Sequence, residues 1–317
     1  MKAVFYRRFG DADVLEYGDL PEPKMGLDSV KIRIKAAAVN PVDWKAREGY
    51  LDSVCDTVFP VVPGGDFAGV VVDVGIGVTE FAAGDEVIGF QLDDYLSRGT
   101  FGEIAVVPTR AVTRKPARLG WLEAAALPLA GITAYQALVR ALDVRRGQTV
   151  LVHAAAGGVG SVAVQIAVNL GARVIGTASP PNHEFVKSLG AEPVDYRRGL
   201  AESVAALAPG GVDAVLDAAG KRTLRTLGPL LRPGGRLASV VDPGVRSAGG
   251  HYVLARPHGP DLATVARMAA DGAVKVEVSH TFPLRETAQA HRLSQGSHTR
   301  GKIVVVVDES VTYRQQS

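Results

Sequence analysis

Cysteine is almost missing from this chain: Cys55 is the single thiol in 317 residues. One cysteine rules out an intramolecular disulfide and any thiolate cluster for a structural zinc. It suits a reducing compartment, so a cytoplasmic protein is expected. An excess of one charge is missing too. Lys and Arg number 35 against 33 for Asp and Glu, a formal charge of +2 with no block of five like charges. Neither nucleic acid nor an anionic membrane is therefore an expected partner. Nor is any apolar run long enough to span a bilayer: the longest, 124–139, contains Pro128, Thr133 and Gln136. The opening residues Met1-Lys2-Ala3-Val4-Phe5-Tyr6 read as a strand, not as the apolar core of a signal peptide. No internal repeat is visible.

What the chain does have is length and apolar content. At 317 residues, 47% hydrophobic and 21% charged, it is expected to fold as a globular protein of two domains. The first 115 or so residues hold short apolar or alternating segments at 29–36, 69–74, 86–90 and 103–107, punctuated by Gly and Pro, which predicts a mostly β domain. From Leu122 the pattern turns helical, and strand candidates then alternate with helices at 150–153, 174–178, 193–196, 214–217, 236–241 and 252–255. Six strands with helices between them describe an α/β doubly wound parallel sheet. A helix over 262–271 and two strand candidates, 274–278 and 302–308, return the chain to its first domain. The predicted division is 1–117, 118–257 and 258–317, with no structure assigned to the polar tail after Val307.

The stretch from Gly147 to Gln165 carries most of the functional information. A β-branched run ends at His153, meets a glycine cluster, and becomes helical from Val159, where Val162, Ala163, Ile166, Ala167 and Leu170 follow at helical spacing. Ala155, Gly157 and Gly160 stand at the spacings of the dinucleotide fingerprint, with Ala in place of the first Gly. Gly157 lacks a Cβ where a pyrophosphate would approach, Gly160 lets the helix pack closely on the strand, and the N–H groups of Gly158 and Val159 open the helix toward an anion. The second strand ends at Ser179, where an NAD site would place Asp or Glu. A carboxylate there would repel a 2′-phosphate, so Ser179, with His183, Tyr196 and Arg197 nearby, favours NADP(H). The alternative is that Ser179 only turns the chain before Pro180-Pro181. Ala218, just past the fourth strand candidate, is counted with the cofactor contacts.

Further motifs run along the chain: Asn40-Pro41-Val42-Asp43-Trp44-Lys45, Phe59-Pro60, Gly64-Gly65-Asp66-Phe67-Ala68-Gly69, Gly84-Asp85-Glu86-Val87, Leu189-Gly190-Ala191, Leu231-Arg232-Pro233-Gly234-Gly235 and Gly301-Lys302-Ile303-Val304. With these the chain resembles, over nearly its whole length, the zinc-independent quinone oxidoreductases of the medium-chain dehydrogenase/reductase superfamily, the group that includes ζ-crystallin. The resemblance implies a GroES-like catalytic domain built from both ends of the chain, a Rossmann domain for NADP(H) between them, and nicotinamide and substrate in the cleft. It also implies a homodimer in which an edge strand near 252–255 extends the sheet. Two positions depart from the family: Val168 replaces a basic or Ser residue, and Asn182 or His183 stands where a Lys is often found near the 2′-phosphate. The zinc alcohol dehydrogenases of the superfamily carry Cys within the segment matching 40–43, Gly-His-Glu where this chain has Gly64-Gly65-Asp66, and a four-Cys lobe. These ligands are missing here, and His153, His183, His251, His258, His280, His291 and His298 show no ligand spacing, so no metal is expected and Asp66 reads as a structural hydrogen-bonding residue.

Without a Lewis acid, hydride transfer needs an acceptor activated by its own conjugation, a quinone or the β-carbon of an α,β-unsaturated carbonyl. The protein must then orient the acceptor and stabilise the oxyanion that develops. Asn40, which the resemblance places beside the nicotinamide, and Lys45, which stands where many relatives have Tyr, are the candidates for that stabilisation. Tyr50 is a second donor candidate, and Thr133 lies in a segment that approaches the nicotinamide in the family. Each has a bland alternative: Asn40 caps a turn, Lys45 is a solvated surface residue, Tyr50 packs, and Thr133 bonds its own helix. Trp44 and Tyr95 are candidates for a flat substrate slot, or else belong to the core. The expected activity is NADPH-dependent reduction of quinones or enones, with enoyl-thioester reduction and NADPH binding without turnover as alternatives.

Overall fold

The computed structural model describes residues 1–220, 223–296 and 299–311. His298 and the end of the tail lie outside the described residues. The chain forms two compact units, Met1–Leu129 with Pro257–Ala270 and Glu277–Ser317, and Ala130–Arg256 with Asp271–Val276. The first boundary falls twelve residues beyond the expected 117 because the helix Trp121–Ala126 belongs to the first unit. Its Ala124, Ala125 and Ala126 are wholly buried, and small side chains let it lie flat on the strands Ser29–Val39 and Asp66–Val74. The short segment 271–276 joins the second unit through Gln165, whose amide donates to Lys275 O at 2.9 Å and accepts from Lys275 N at 2.8 Å.

The first unit is built on a seven-stranded sheet. Val278–Pro283, Lys302–Val306, Ser29–Val39, Asp66–Val74, Glu86–Phe90 and Val112–Arg114 lie side by side in that order, and Ile104–Pro108 pairs with the first half of Ser29–Val39. Along Ser29–Val39, burial alternates from Val30 to Ile34 and becomes continuous from Ala36 to Val39. Alternation marks a strand with one covered face, and an unbroken buried run marks one covered on both. Val30, Ile32, Ile34, Phe67, Phe101 and Val305 form the centre of the core. A pair of strands that the sequence did not suggest, Asp56–Val62 and Tyr95–Arg98, forms a separate small parallel sheet. Conversely, no strand forms over 273–277. The strand in that region is Val278–Pro283, because the preceding segment is held by Gln165 rather than by a neighbouring strand.

The second unit is a six-stranded parallel sheet in the order Glu192–Asp195, Arg173–Ala178, Thr149–His153, Val212–Asp217, Leu231–Ser239, His251–Tyr252. Numbered along the chain this is 3-2-1-4-5-6, the doubly wound Rossmann order. Leu151, Ile175, Val215 and Leu237 make its centre. The last strand is shorter than the expected 252–255 and pairs through only two residues. Among the described residues no helix is long and apolar enough to cross a membrane.

One buried ionisable pair sits where helices Pro41–Arg47 and Thr287–Gln295 meet in the first unit. Arg47 Nη1 lies 3.1 Å from His291 Nδ1, while Arg47 Nε donates to Gly10 O and Nη2 to Glu48. A guanidinium only donates, so His291 Nδ1 accepts and the imidazole is neutral. Burial, reinforced by the Arg47 charge, pushes the His291 pKa down to about 3. The folded value lies below the usual value of about 6.5, so the unfolded chain binds the extra proton as pH falls, and stability drops between about 6.5 and 3. We expect His291→Asn, whose amide oxygen can still accept from Arg47, to flatten the loss of Tm across that range. An unchanged slope would exclude His291 as its source.

Candidate functional site

The carboxyl ends of the first four strands of the parallel sheet lie on one edge, and a tightly braced turn occupies its middle. After Thr149–His153 the chain passes through Ala154 in the left-handed region, φ 61°, where a non-glycine residue is unusual. Thr177 of the neighbouring strand holds it there. Its Oγ1 accepts from Ala154 N at 3.1 Å and lies 2.6 Å from His153 Nδ1, and its carbonyl accepts from Ala155 N at 2.9 Å. Burial pulls the His153 pKa below its ordinary value, against the charge of Asp217, so a neutral ring can accept a hydrogen bond from the Thr177 hydroxyl at Nδ1.

The two glycines at fingerprint positions, Gly157 and Gly160, serve different ends. A Cβ on Gly160 would stand 2.1 Å from Ala154 O and 2.9 Å from Ala155 Cα, so the fold itself forbids a side chain there. A Cβ on Gly157 would meet only Ala154 O at 3.4 Å, and φ is −78°, so nothing in the packing demands glycine at this place. Gly157 is the N-cap of the helix Gly158–Asn169 and makes no side-chain cap, so the first-turn N–H groups, Val159 among them, are available to an outside acceptor. Ala155 is buried beneath the turn.

The other residues expected around a dinucleotide are spread along the same edge. Ser179 follows the strand Arg173–Ala178 and is half-buried, and its Oγ accepts from Asn182 Nδ2 at 3.1 Å. His183 Nε2 lies 3.3 Å from Ala178 O. Tyr196 is exposed, edge-on to the His153 ring at 6.2 Å, with the Arg197 guanidinium over its own ring at 5.5 Å. Ala218 follows Asp217, a buried carboxylate that accepts from Ala219 N, Gly220 N, Thr223 and Ser239 and thereby fixes the loop after the fourth strand. Thr133 is buried in the helix Pro128–Tyr135.

The first unit contains a buried polar cluster of which the sequence suggested only parts. Asn40 opens the helix Pro41–Arg47; its backbone N–H donates to Asp43 at 2.7 Å and its Nδ2 to Asp66 at 2.9 Å. Lys302 Nζ donates to Asn40 Oδ1 and lies 3.4 Å from Asp66 Oδ2. The second Asp66 oxygen accepts from Leu129 N at 2.7 Å. Both ends of the Asn40 amide are thus engaged by the protein. Burial pushes the Asp66 carboxyl up, opposed mainly by the Lys302 charge, and pushes Asp43 up to about 7. The motif Gly301-Lys302-Ile303-Val304 gives Lys302 no role by itself; a lysine opening the otherwise apolar strand Lys302–Val306 is the signal in sequence of a buried partner.

The remaining candidates of this unit divide. Lys45 is half-buried with Nζ 5.6 Å from the centre of the Trp44 ring, and Trp44 keeps its indole N–H buried without a protein partner. Tyr50 is exposed. Tyr95 stands on the rim of a recess whose walls also include Tyr6, Asp43, Leu51, Gln91 and Leu96. Tyr6, Asp43 and Gln91 were not singled out from sequence, since nothing in their spacing joins them. Among the described residues, no three His, Cys, Asp or Glu side chains converge as a metal-ligand set.

Comparison with known proteins agrees with this architecture. The alcohol dehydrogenase GroES-like domain matches residues 26–117 and the zinc-binding dehydrogenase family matches 189–305. The chloroplast envelope quinone oxidoreductase homolog of Arabidopsis thaliana is 34% identical, the alignment covering 96% of this chain and 98% of that protein. The chloroplastic NADPH-dependent alkenal/one oxidoreductase of the same plant is also 34% identical, over 96% of this chain and 79% of the relative. Among solved structures, the quinone oxidoreductase of Coxiella burnetii superposes with a TM-score of 0.88 at 32% identity, over 97% of this chain and 99% of the other. A GroES-like unit joined in sequence to a 3-2-1-4-5-6 sheet defines a medium-chain dehydrogenase/reductase, and within that superfamily the chain belongs to the quinone oxidoreductase family.

The buried cluster supports a direct test. Removing one partner of a buried ion pair strands the other, at a cost of about 3–5 kcal/mol, whereas replacing both is far milder. Lys302→Met is expected to destabilise by that amount in denaturant unfolding, and Asp66→Asn in the same chain to recover part of the loss. Strictly additive losses would show that the two groups are not coupled.

Proposed function

We propose that this protein is an NADPH-dependent reductase of quinones or α,β-unsaturated carbonyls that works without zinc. The observation that carries the reading is Gly157: a glycine that its own fold does not require, at the uncapped start of a helix, on the carboxyl edge of a doubly wound sheet. Space kept clear at that point fits a pyrophosphate received by the N–H groups of Gly158, Val159 and Gly160. Ala155 underlies the turn. Ser179, standing where an NAD site would carry Asp or Glu, and Tyr196 with Arg197 suit a 2′-phosphate, His183 bracing the same corner; Ala218 borders the adjacent loop. The relatives named above as quinone and NADPH-dependent alkenal/one oxidoreductases support the same cofactor and acceptors.

When bound, the nicotinamide supplies hydride. This chain's residues bind, orient and stabilise. Asn40, locked by Asp66 and Lys302, is proposed to act as a fixed wall beside the nicotinamide, and Thr133 is proposed as a further cofactor contact. Lys45 and Tyr50 are proposed as groups that stabilise charge on the reduced acceptor, and Trp44 and Tyr95 as flat apolar contacts. Asn40, Asp43 and Gly65 take the places of the zinc-ligand segments described above. The carboxylate of Asp66 is already committed to a lysine ammonium and an amide, which supports the zinc-free reading.

Two measurements test this. Gly157→Ala is expected to change stability by no more than about 0.5 kcal/mol while weakening NADPH binding at least about tenfold. Gly160→Ala should instead lose about 1–3 kcal/mol of stability, because its Cβ has no room. Undiminished NADPH affinity in Gly157→Ala would remove the cofactor assignment. In the second, NADPH and NADH consumption is followed with quinones, enals and enones while a chelator is present. Chelator-resistant turnover preferring NADPH is expected. Silence with every acceptor would refute the activity, and loss on chelation would refute the zinc-free part.

A further inference from the structure

Buried polar atoms without a partner are costly, about 1–3 kcal/mol each, so a pair of them on one recess calls for an explanation. The Tyr6 hydroxyl and Gln91 Oε1 are both buried and lack a protein hydrogen-bond partner, and both residues wall the recess that Tyr95 borders. Neither side chain is loosely held. Tyr6 is wholly buried, its backbone pairs with Val61 in both directions at 2.9 Å, and its ring meets Phe59 edge-on at 5.9 Å. Gln91 is 7% exposed; its backbone N–H donates to Gly65 O and its Nε2 to Asp93, both at 2.9 Å, which leaves the amide oxygen as its unsatisfied end.

Burial, with the nearby Asp43 adding to it, pushes the Tyr6 phenol above its usual pKa, so the hydroxyl keeps its proton and remains a donor at neutral pH. Leu51, Leu92 and Leu96 supply apolar wall on the same recess, which Asp43, Asp93 and Arg98 also line. A rigid donor on a recess with a partly apolar wall makes a site for a small molecule that has an oxygen to place, rather than for an aliphatic tail.

We propose that this recess receives the carbonyl group of the acceptor and that Tyr6 determines specificity by donating its hydroxyl to the carbonyl oxygen. The inference rests on the reductase reading for the identity of the ligand. Its physical basis, a buried hydroxyl with no protein partner, is independent of that reading. A site that must satisfy such a hydroxyl discriminates against ligands that lack an oxygen at that point. Gln91 Oε1 can only accept, so it makes no bond to the carbonyl oxygen itself and the discrimination falls on the Tyr6 hydroxyl.

Tyr6→Phe tests this cleanly, because it removes one atom that bonds to nothing in the protein and keeps the ring. The full chain is assayed for Tm, NADPH affinity, and kcat and KM with a quinone and with an enone. Cyclohexanone, a carbonyl compound without the conjugated alkene, serves as a competitive probe of binding by thermal shift. Expected are an unchanged or slightly raised Tm, unchanged NADPH affinity, KM raised about tenfold for both acceptors, and loss of the cyclohexanone shift. A second variant, Leu51→Trp, fills the recess without touching the hydroxyl and should abolish the cyclohexanone shift with NADPH affinity intact. If wild type consumes NADPH but Tyr6→Phe keeps the same KM and the same cyclohexanone shift, the proposal is overturned while the reductase reading stands. If no acceptor is turned over, the reductase reading fails, and the cyclohexanone shift in wild type and its loss in both variants still decide the fate of the recess.

Discussion

A lysine ammonium buried against a carboxylate is the constraint on which the first unit turns. Taking both charges out of water is expensive, and the cost is offset only if the remaining lone pairs and protons are satisfied. Here Asn40 does that work. It donates to Asp66, accepts from Lys302, and is itself fixed as the entry to a helix whose Asp43 receives its backbone N–H. The backbone of Leu129 satisfies the other Asp66 oxygen, so residues from four separate stretches of the chain are positioned by one network. A site built beside such a cluster inherits its rigidity, which catalysis by orientation requires.

In the second unit the corresponding work is done by close approach. Gly160 brings the helix against Ala154 O, and Gly176 lies where a Cβ would fall 2.8 Å from Val186 and 2.9 Å from Ala155, so the turn is pressed between its own helix and the next strand. Thr177 then ties the turn to that strand through both its hydroxyl and its carbonyl. Of the two fingerprint glycines, Gly157 is left as the one whose Cβ position meets nothing closer than Ala154 O at 3.4 Å. Distinguishing a glycine needed for packing from one needed for a ligand takes coordinates, since both look alike in the fingerprint.

What could be read from the sequence followed from periodicity. The six parallel strands and the glycine turn were legible because strands buried on both faces are continuous apolar runs and their helices repeat every three or four residues. The strand Glu86–Phe90 was placed to the residue. The small pair Asp56–Val62 and Tyr95–Arg98 was not legible, since its residues are half-exposed and show no alternation. At the site, Asn40 and Asp66 stood out by motif, but their connection to Lys302 lies across the whole chain and leaves no local trace. Tyr6 and Gln91 were invisible for the same reason: a recess is formed by residues brought together in space, and their only mark in sequence is a polar group among apolar neighbours.

The pairing of Lys302–Val306 with Ser29–Val39 has a consequence for how this chain is made. Lys302 and Asn40 are 262 residues apart, so the sheet of the first unit has a missing neighbour until residues 302–306 have left the ribosome. The second unit is encoded almost entirely within 130–256 and has all of its strands long before that. Synthesis therefore delivers a complete nucleotide-type sheet beside an unfinished one whose central strand, Ser29–Val39, waits with an open edge. During that interval the early strand is the part of the nascent chain most exposed to wrong pairing.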